Sequence, residues 1–200
     1  LSLLLPCEGI QVPKRATRLP NAPRDYRSGT HRGIDFFANW GTLVRAVANG
    51  TVIRADHNYQ EIPADYRIQL LSASARVGHT PSDIFNSVLL GKAVFLDHGF
   101  EMIPGFRTIS IYAHLSSIDT SITTGVFLKA GQNIGKSGNT GTRASTLNTK
   151  KEAHLHWEMI LQKGHKEIYL GKDVPNPDLY DMLNDIFNPT VPAVNDSLNH

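Results

Sequence analysis

Residues 153–158 read Ala-His-Leu-His-Trp-Glu, and this alternation of apolar and polar side chains predicts a β-strand. Successive side chains of a strand point to opposite faces, so His154 and His156 project together on one face. Neutral imidazole is the commonest metal ligand in proteins. The two histidines therefore predict part of a metal site, which needs at least one further ligand from a distant part of the chain.

Short apolar runs separated by Gly and Asn extend the strand pattern along most of the chain. They are rich in Val, Ile, Thr and Phe, which favour strands, and turn residues bound them. The predicted strands are residues 34–37, 42–47, 50–55, 92–98, 108–115 and 154–161. Short strands joined by tight turns predict an all-β domain.

The predicted strand at 108–115 has two unlike faces. One face is apolar at every second position, whereas Ser110, Tyr112 and His114 form the other. In a sheet with one covered face, the apolar side meets the core and the polar side points away from it. We therefore expect His114 to be available for function. Tyr112 beside it either binds substrate or packs next to a groove.

Three further segments belong to what we predict to be a single domain over residues 1–200. Residues 1–29 carry four prolines and little periodicity, which predicts an irregular segment laid over the core. Residues 59–90 do not continue the strand pattern, and we interpret them as a partly helical insertion in which Thr80 caps one helix. Residues 176–188 have apolar side chains at i, i+3, i+4 and i+7, which predicts a short C-terminal packing helix.

The composition limits the classes of protein that remain. With 200 residues, 40% of them hydrophobic, the chain is long enough to bury its own core. Its 20 Lys and Arg residues are dispersed, without the dense basic run that attracts nucleic acid. Cys7 is the only cysteine, which excludes an intrachain disulfide and a cysteine-based zinc site. No apolar run reaches the length of a transmembrane segment. We expect a monomer.

The segment from His31 to Asp35 offers the missing ligands. In a straight strand these residues lie about 13 Å apart, whereas two ligands of one tetrahedral zinc are about 3 to 3.5 Å apart. The chain must bend if both bind, and Gly33 permits the bend. A surface turn with a capping Asp35 is the alternative. Joined to the His154-x-His156 strand, the motif supplies the ligand types of catalytic zinc with a position open for water.

Four motifs follow one another along the chain: His31-x-x-x-Asp35, Tyr112-Ala-His114-Leu, a glycine-rich run at 131–141 and His154-Leu-His156-Trp-Glu. Their order resembles that of the lysostaphin/LytM-type zinc metalloendopeptidases, which are murein endopeptidases with the duplicated hybrid motif fold. The resemblance covers about residues 30–161 and is interrupted by the insertion at 59–90. It implies an antiparallel β-sheet or sandwich with an open groove.

The resemblance also implies roles for five residues. His31, Asp35 and His156 match the ligands of one Zn²⁺, and His114 and His154 match two catalytic histidines that line the site. The implied activity is hydrolysis of peptide bonds in peptidoglycan cross-links or stem peptides by a metal-activated water. The implied location is the bacterial cell envelope, periplasmic or extracellular. All five positions are filled, which favours an active enzyme.

Two other functions remain open at this point. One is a catalytically silent family member that binds peptidoglycan or regulates an amidase, and the other is a zinc carboxypeptidase acting on cell-wall peptides. The chain also departs from the family around its ligands, with Trp157 in place of Phe and a longer polar loop at 142–151. These changes bear on substrate preference. We expect the insertion at 59–90 to form a wall or lid of the groove.

Two smaller features have competing interpretations. Residues 130–137 satisfy a relaxed phosphate-loop pattern, but Gly138 and Gly141 would break the helix that such a loop requires, so consecutive tight turns are the better interpretation. Glu158 shares a strand face with His156, and it either orients a metal ligand or lies in solvent at the strand end.

Overall fold

The structure is a computed structural model that describes residues 1–188. Strands joined by antiparallel pairing form most of its regular secondary structure, and the helices are few and mostly short. The predicted all-β class is therefore confirmed. In the described chain the strands are β1 (Pro23–Arg24), β2 (Gly29–Thr30), β3 (Ile34–Phe36), β4 (Leu43–Arg45), β5 (Gly50–Ala55), β6 (Val94–Ile103), β7 (Phe106–Ala113), β8 (Leu115–Ile118), β9 (Phe127–Leu128), β10 (Asn133–Ser137), β11 (Leu155–Lys163) and β12 (Lys166–Tyr169).

The largest sheet has the order β12-β11-β7-β6-β5-β9, and β3 also pairs with β11. Strands β3 and β12 pair with successive parts of β11, while β7 pairs along most of its length. A second sheet has the order β4-β10-β8, and β1 pairs with β2. Lys136 lies inside strand β10, where a phosphate loop would need the start of a helix, so the glycine-rich run is not a phosphate loop.

Both faces of strand β7 are buried, which corrects the expectation of one polar, available face. Tyr112 is fully buried in the main core, and its hydroxyl accepts a hydrogen bond from the Val47 N–H at 2.9 Å. Tyr112 therefore does not face the groove. Ile109 and Ile111 on the opposite face pack under the insertion. The alternation separated the two faces correctly, but it did not show that the face with Ser110 and Tyr112 is buried as well.

The predicted strand at 108–115 breaks at His114, which lies between β7 and β8 with a left-handed backbone (φ 59°). Its N–H donates to the Leu90 carbonyl at 2.9 Å instead of continuing the ladder. The break turns the His114 imidazole toward β11. Its ring centroid lies 4.7 Å from that of His154 and 5.8 Å from that of His156.

The insertion contains helix α1 (Ala64–Val77) and helix α2 (Ser82–Ile84), followed by a π-helical turn at Phe85–Leu89. Helix α1 packs against the Asp25–Arg27 turn and against the short helix α3 (Arg143–Thr146). The predicted cap at Thr80 is wrong. Helix α2 begins two residues later, and the Thr80 hydroxyl donates to the Arg27 carbonyl because the insertion is tied to the N-terminal segment there.

The C-terminal helix α4 (Asp178–Phe187) lies on the opposite side of β11 from the histidines. Phe187 contacts the Trp157 ring edge-on at 5.1 Å between centroids and the Phe36 ring at 5.7 Å. Because side chains alternate along β11, this packing fixes the strand whose other face carries His156. Between residues 1 and 188 no helix combines the length and apolar character needed to cross a membrane.

Candidate metal centre

Three side-chain atoms meet at one end of the large sheet. Nε2 of His31 lies 2.9 Å from Oδ1 of Asp35 and 3.1 Å from Nδ1 of His156, and the last two atoms are 2.9 Å apart. His31 and His156 are buried, and Asp35 is partly buried. These separations are close to the spacing of about 3 to 3.5 Å between ligands of one tetrahedral zinc.

Strand pairing and one glycine bring these atoms together. Asp35 on β3 stands opposite His156 on β11 in the antiparallel register. Gly33 lets the chain turn back so that His31 joins them, and a Cβ there would collide with the Trp157 carbonyl and stand 2.9 Å from Cε1 of His156. Only glycine fits this approach of two backbones. The bend that the sequence required between His31 and Asp35 is therefore present.

The hydrogen bonds of the two rings set the tautomer that each ring has in its neutral form. Nδ1 of His31 donates to the Leu19 carbonyl at 2.8 Å, which leaves Nε2 with a lone pair. Nε2 of His156 faces Oε2 of Glu158 at 3.4 Å, which leaves Nδ1 with a lone pair. Two lone pairs and a carboxylate oxygen then face one another at about 3 Å, an arrangement that repels unless a cation lies among them. This donor set fits a divalent metal.

The second oxygen of Asp35 is held by the N-terminal segment. Nη2 of Arg24 lies 3.0 Å from Oδ2, and Nη1 of Arg18 donates to the Asp35 carbonyl at 3.2 Å. Burial raises the pKa of Asp35, but the neighbouring His31 and His156 outweigh burial and hold it well below its usual range. The carboxylate is therefore ionised, with Oδ1 directed at the histidines. Sequence reasoning missed Arg24 and the Leu19 carbonyl, because no local pattern marks contacts made by an irregular segment.

Glu158 is fully buried, which decides between its two interpretations. Oε1 lies 3.0 Å from Nε of Arg32, and Oε2 lies 3.4 Å from the outer nitrogen of His156. Burial opposes ionisation of Glu158, but His156 and Arg32 outweigh it and lower the pKa. Burial likewise disfavours the charged form of His156, yet Asp35 and Glu158 outweigh it and raise its pKa. Glu158 thus orients the His156 ring as an ionised acceptor.

His114 and His154 lie beside the cluster without joining it. Nδ1 of His114 donates to the Thr140 carbonyl at 2.7 Å, and Nδ1 of His154 donates to the Glu152 carbonyl at 2.7 Å. Nε2 of His154 is 3.6 Å from Oδ1 of Asp35. Burial lowers the pKa of both histidines, most strongly for His114, which two other imidazoles also repel. Both rings are therefore neutral at neutral pH, with Nε2 able to accept a proton.

All five histidine and aspartate positions line one groove of about 490 Å³. The insertion supplies part of its wall through Arg67, Ile68 and Leu71 of α1 and through Phe85 and Leu89 of the following turn; residues 141–143 line the groove as well. The insertion and the candidate metal centre therefore share one cavity, whose size is that of a typical ligand site.

The model of peptidase family M23 matches residues 72–168 of this chain. The matched range includes His114, His154 and His156, and the motif from His31 to Asp35 precedes it. This match covers slightly less than half of the chain and supports a relationship to the peptidases of family M23. A comparison with curated proteins found no match.

Among solved structures, the chain is similar to the catalytic domain of the antimicrobial peptidase lysostaphin from Staphylococcus simulans, with 26% identity, coverage of 70% of this chain and 73% of that one, and a TM-score of 0.42. A putative peptidase M23 from Pseudomonas aeruginosa has 25% identity, coverage of 80% and 49%, and a TM-score of 0.41. A zinc-containing peptidase from Vibrio cholerae has 18% identity, coverage of 83% and 39%, and a TM-score of 0.44. The chain spans half or less of the last two.

Proposed function

We propose that this chain is a zinc-dependent endopeptidase that hydrolyses peptide bonds in peptidoglycan cross-links or stem peptides. The observation that carries the proposal is the meeting of three possible ligand atoms from His31, Asp35 and His156 at about 3 Å from one another. Two imidazoles and one carboxylate are a common ligand set of catalytic zinc, which keeps one position for water or substrate. The match of residues 72–168 to the model of peptidase family M23 supports the peptidase activity. A periplasmic or extracellular location in the cell envelope follows from the proposed substrate.

The proposal gives the metal and the imidazoles separate tasks. One Zn²⁺ held by His31, Asp35 and His156 would lower the pKa of a bound water and polarise the scissile carbonyl. The chain itself supplies two imidazoles that burial keeps neutral, and because Nδ1 of His114 and of His154 donates to a carbonyl, Nε2 of each ring carries the lone pair. Nε2 of either ring can take a proton at neutral pH and return it to the leaving amine.

Mass spectrometry of purified peptidoglycan after digestion, together with metal analysis of the protein, separates this proposal from its two alternatives. We expect one zinc per chain and new amino termini within cross-links or stem peptides. Removal of single residues from free carboxyl ends would indicate a carboxypeptidase instead. Binding to peptidoglycan with no new terminus would indicate a silent member, although such a protein has no need of the complete set of His31, Asp35 and His156.

The contact between Arg24 and Asp35 predicts a loss of metal affinity without loss of a ligand. Arg24→Met leaves Oδ2 of Asp35 without its charged partner, so the carboxylate is less firmly directed at the metal. We expect zinc affinity to fall by about 10- to 100-fold, measured by competition with a chelator. Arg15→Met, at an exposed arginine of the same segment, serves as the control and should not change affinity. Equal affinities for both variants would contradict the role of Arg24.

The pH dependence of cleavage follows from the same imidazoles. Burial lowers the pKa of His31, His114 and His154, so these rings stay neutral at neutral pH and become protonated only at a pH below the usual range of histidine. The raised pKa of His156 means that a proton competes with the metal at this ring first. We expect activity to fall on acidification, and the acid limb to move to lower pH when free zinc is raised. A flat acid limb would contradict the proposal.

A further inference from the structure

Two buried arginines line the groove without an acidic partner. Arg27 is 7% exposed and Arg67 is 8% exposed, and both face the cavity that holds the candidate metal centre. Within residues 1–188, neither guanidinium lies within 4.0 Å of a carboxylate, whereas Arg24 pairs with Asp35 and Arg32 with Glu158. Fully buried arginine is rare in proteins unless it is paired.

Arg67 is the less satisfied of the two. Its Nε is buried and finds no hydrogen-bond partner in the described chain. Glu61, on the loop before α1, does not form an ion pair with Arg67. Its Oε1 accepts from the Tyr59 hydroxyl and its Oε2 accepts from the Gly141 N–H. Arg27, by contrast, donates to the Thr30 carbonyl and lies over the Phe85 ring.

A guanidinium does not lose its proton in proteins, so burial cannot be relieved by neutralising it. An unpaired buried charge is strongly unfavourable, and an anion that enters the groove would remove this cost. The planar fork of arginine matches a carboxylate in particular, with two parallel hydrogen bonds. Ile68, Leu71 and Leu89 line the same groove, so the surroundings suit a carboxylate attached to an apolar group.

We propose that the insertion builds a carboxylate-binding subsite around Arg67, with Arg27 as a second cation, and that the enzyme selects peptides carrying a carboxylate on this side of the groove. The inference rests on the proposed peptidase function for the identity of its ligand. Helix α1, which carries Arg67, contacts both the Asp25–Arg27 turn and helix α3, and Arg27, Arg67 and Arg143 all line the same cavity. The subsite would explain why the chain carries the insertion.

The test compares two probes of equal shape, benzoate and benzamide, by calorimetric titration of the zinc-loaded protein. We expect benzoate to bind about tenfold or more tightly than benzamide, and Arg67→Met to remove the difference. Arg143→Met, at an exposed arginine of the same groove, is the matched control and should keep most of it. Arg67→Lys retains the charge and should retain part of the preference if Arg67→Met does not fold.

Several results would overturn the subsite. Equal affinity of the wild-type protein for both probes, or no binding of either, excludes a carboxylate site. A preference for benzoate that survives in Arg67→Met would show that the carboxylate binds only at the metal. Because these readouts need no turnover, a protein that cleaves peptidoglycan but shows no dependence on Arg67 overturns the subsite alone. A protein that binds benzoate through Arg67 but cleaves nothing overturns the peptidase proposal alone.

Discussion

Replacement of His156 with alanine is expected to abolish zinc retention and to lower peptidoglycan cleavage by about three orders of magnitude or more. The expectation follows from the position of Nδ1, which lies 2.9 Å from Oδ1 of Asp35 and 3.1 Å from Nε2 of His31. Its removal leaves two ligands, which hold zinc poorly against water. Metal content after gel filtration and the rate of release of new amino termini are the two measurements.

The control for this variant is His165→Ala. His165 is exposed in the turn between β11 and β12, away from the groove, so its loss should change neither zinc content nor rate. Full zinc content in His156→Ala, at an activity close to the wild type, would contradict the assignment of His156 as a ligand. Circular dichroism of both variants separates metal loss from unfolding, because His156 is buried within strand β11 and its replacement could also affect folding.

Replacement of His114 is expected to separate catalysis from metal binding. Nε2 of His114 faces the site while Nδ1 is held by the Thr140 carbonyl, and the ring is outside the ligand cluster. His114→Ala should keep one zinc per chain and lose about 10²- to 10⁴-fold in rate, the usual range for a lost acid or base. Zinc loss equal to that of His156→Ala would contradict this division of roles.

The backbone at His114 determines which substitution tests this most clearly. Its φ of 59° lies in the left-handed region, which alanine adopts with strain and asparagine adopts readily. His114→Asn should therefore fold more stably than His114→Ala and lose a comparable amount of rate. If the two variants differ greatly in rate, then strain at this position, and not the imidazole, accounts for the loss.

The sequence predicted the strand class and two local features of the candidate metal centre, while the family resemblance joined His31 and Asp35 to His156. Alternation along residues 153–158 places His154 and His156 on one face, and Gly33 signals the bend between His31 and Asp35. Both signals are local. The break at His114 was not predicted, because an apolar and polar alternation continues through it. The left-handed residue arises from a hydrogen bond to Leu90, which is distant in sequence.

The contacts that orient the ligands could not be predicted for a similar reason. Arg24, the Leu19 carbonyl and Glu158 act through distances that depend on how the N-terminal segment crosses the sheet. The prolines in residues 1–29 indicated irregular structure, but they did not predict where this segment crosses the sheet. Arg67 likewise belongs to no local sequence pattern, and only the structure shows that it is buried and that its Nε has no partner within residues 1–188.

The central claim is that His31, Asp35 and His156 hold one metal ion on which peptide hydrolysis depends. A zinc titration of chelator-treated protein, with cleavage of purified peptidoglycan followed by mass spectrometry, tests it most directly. We predict that the metal-free protein releases no new amino termini and that activity returns in proportion to the first equivalent of zinc. Full activity of the metal-free protein, or one equivalent of bound zinc with no cleavage, would contradict the account.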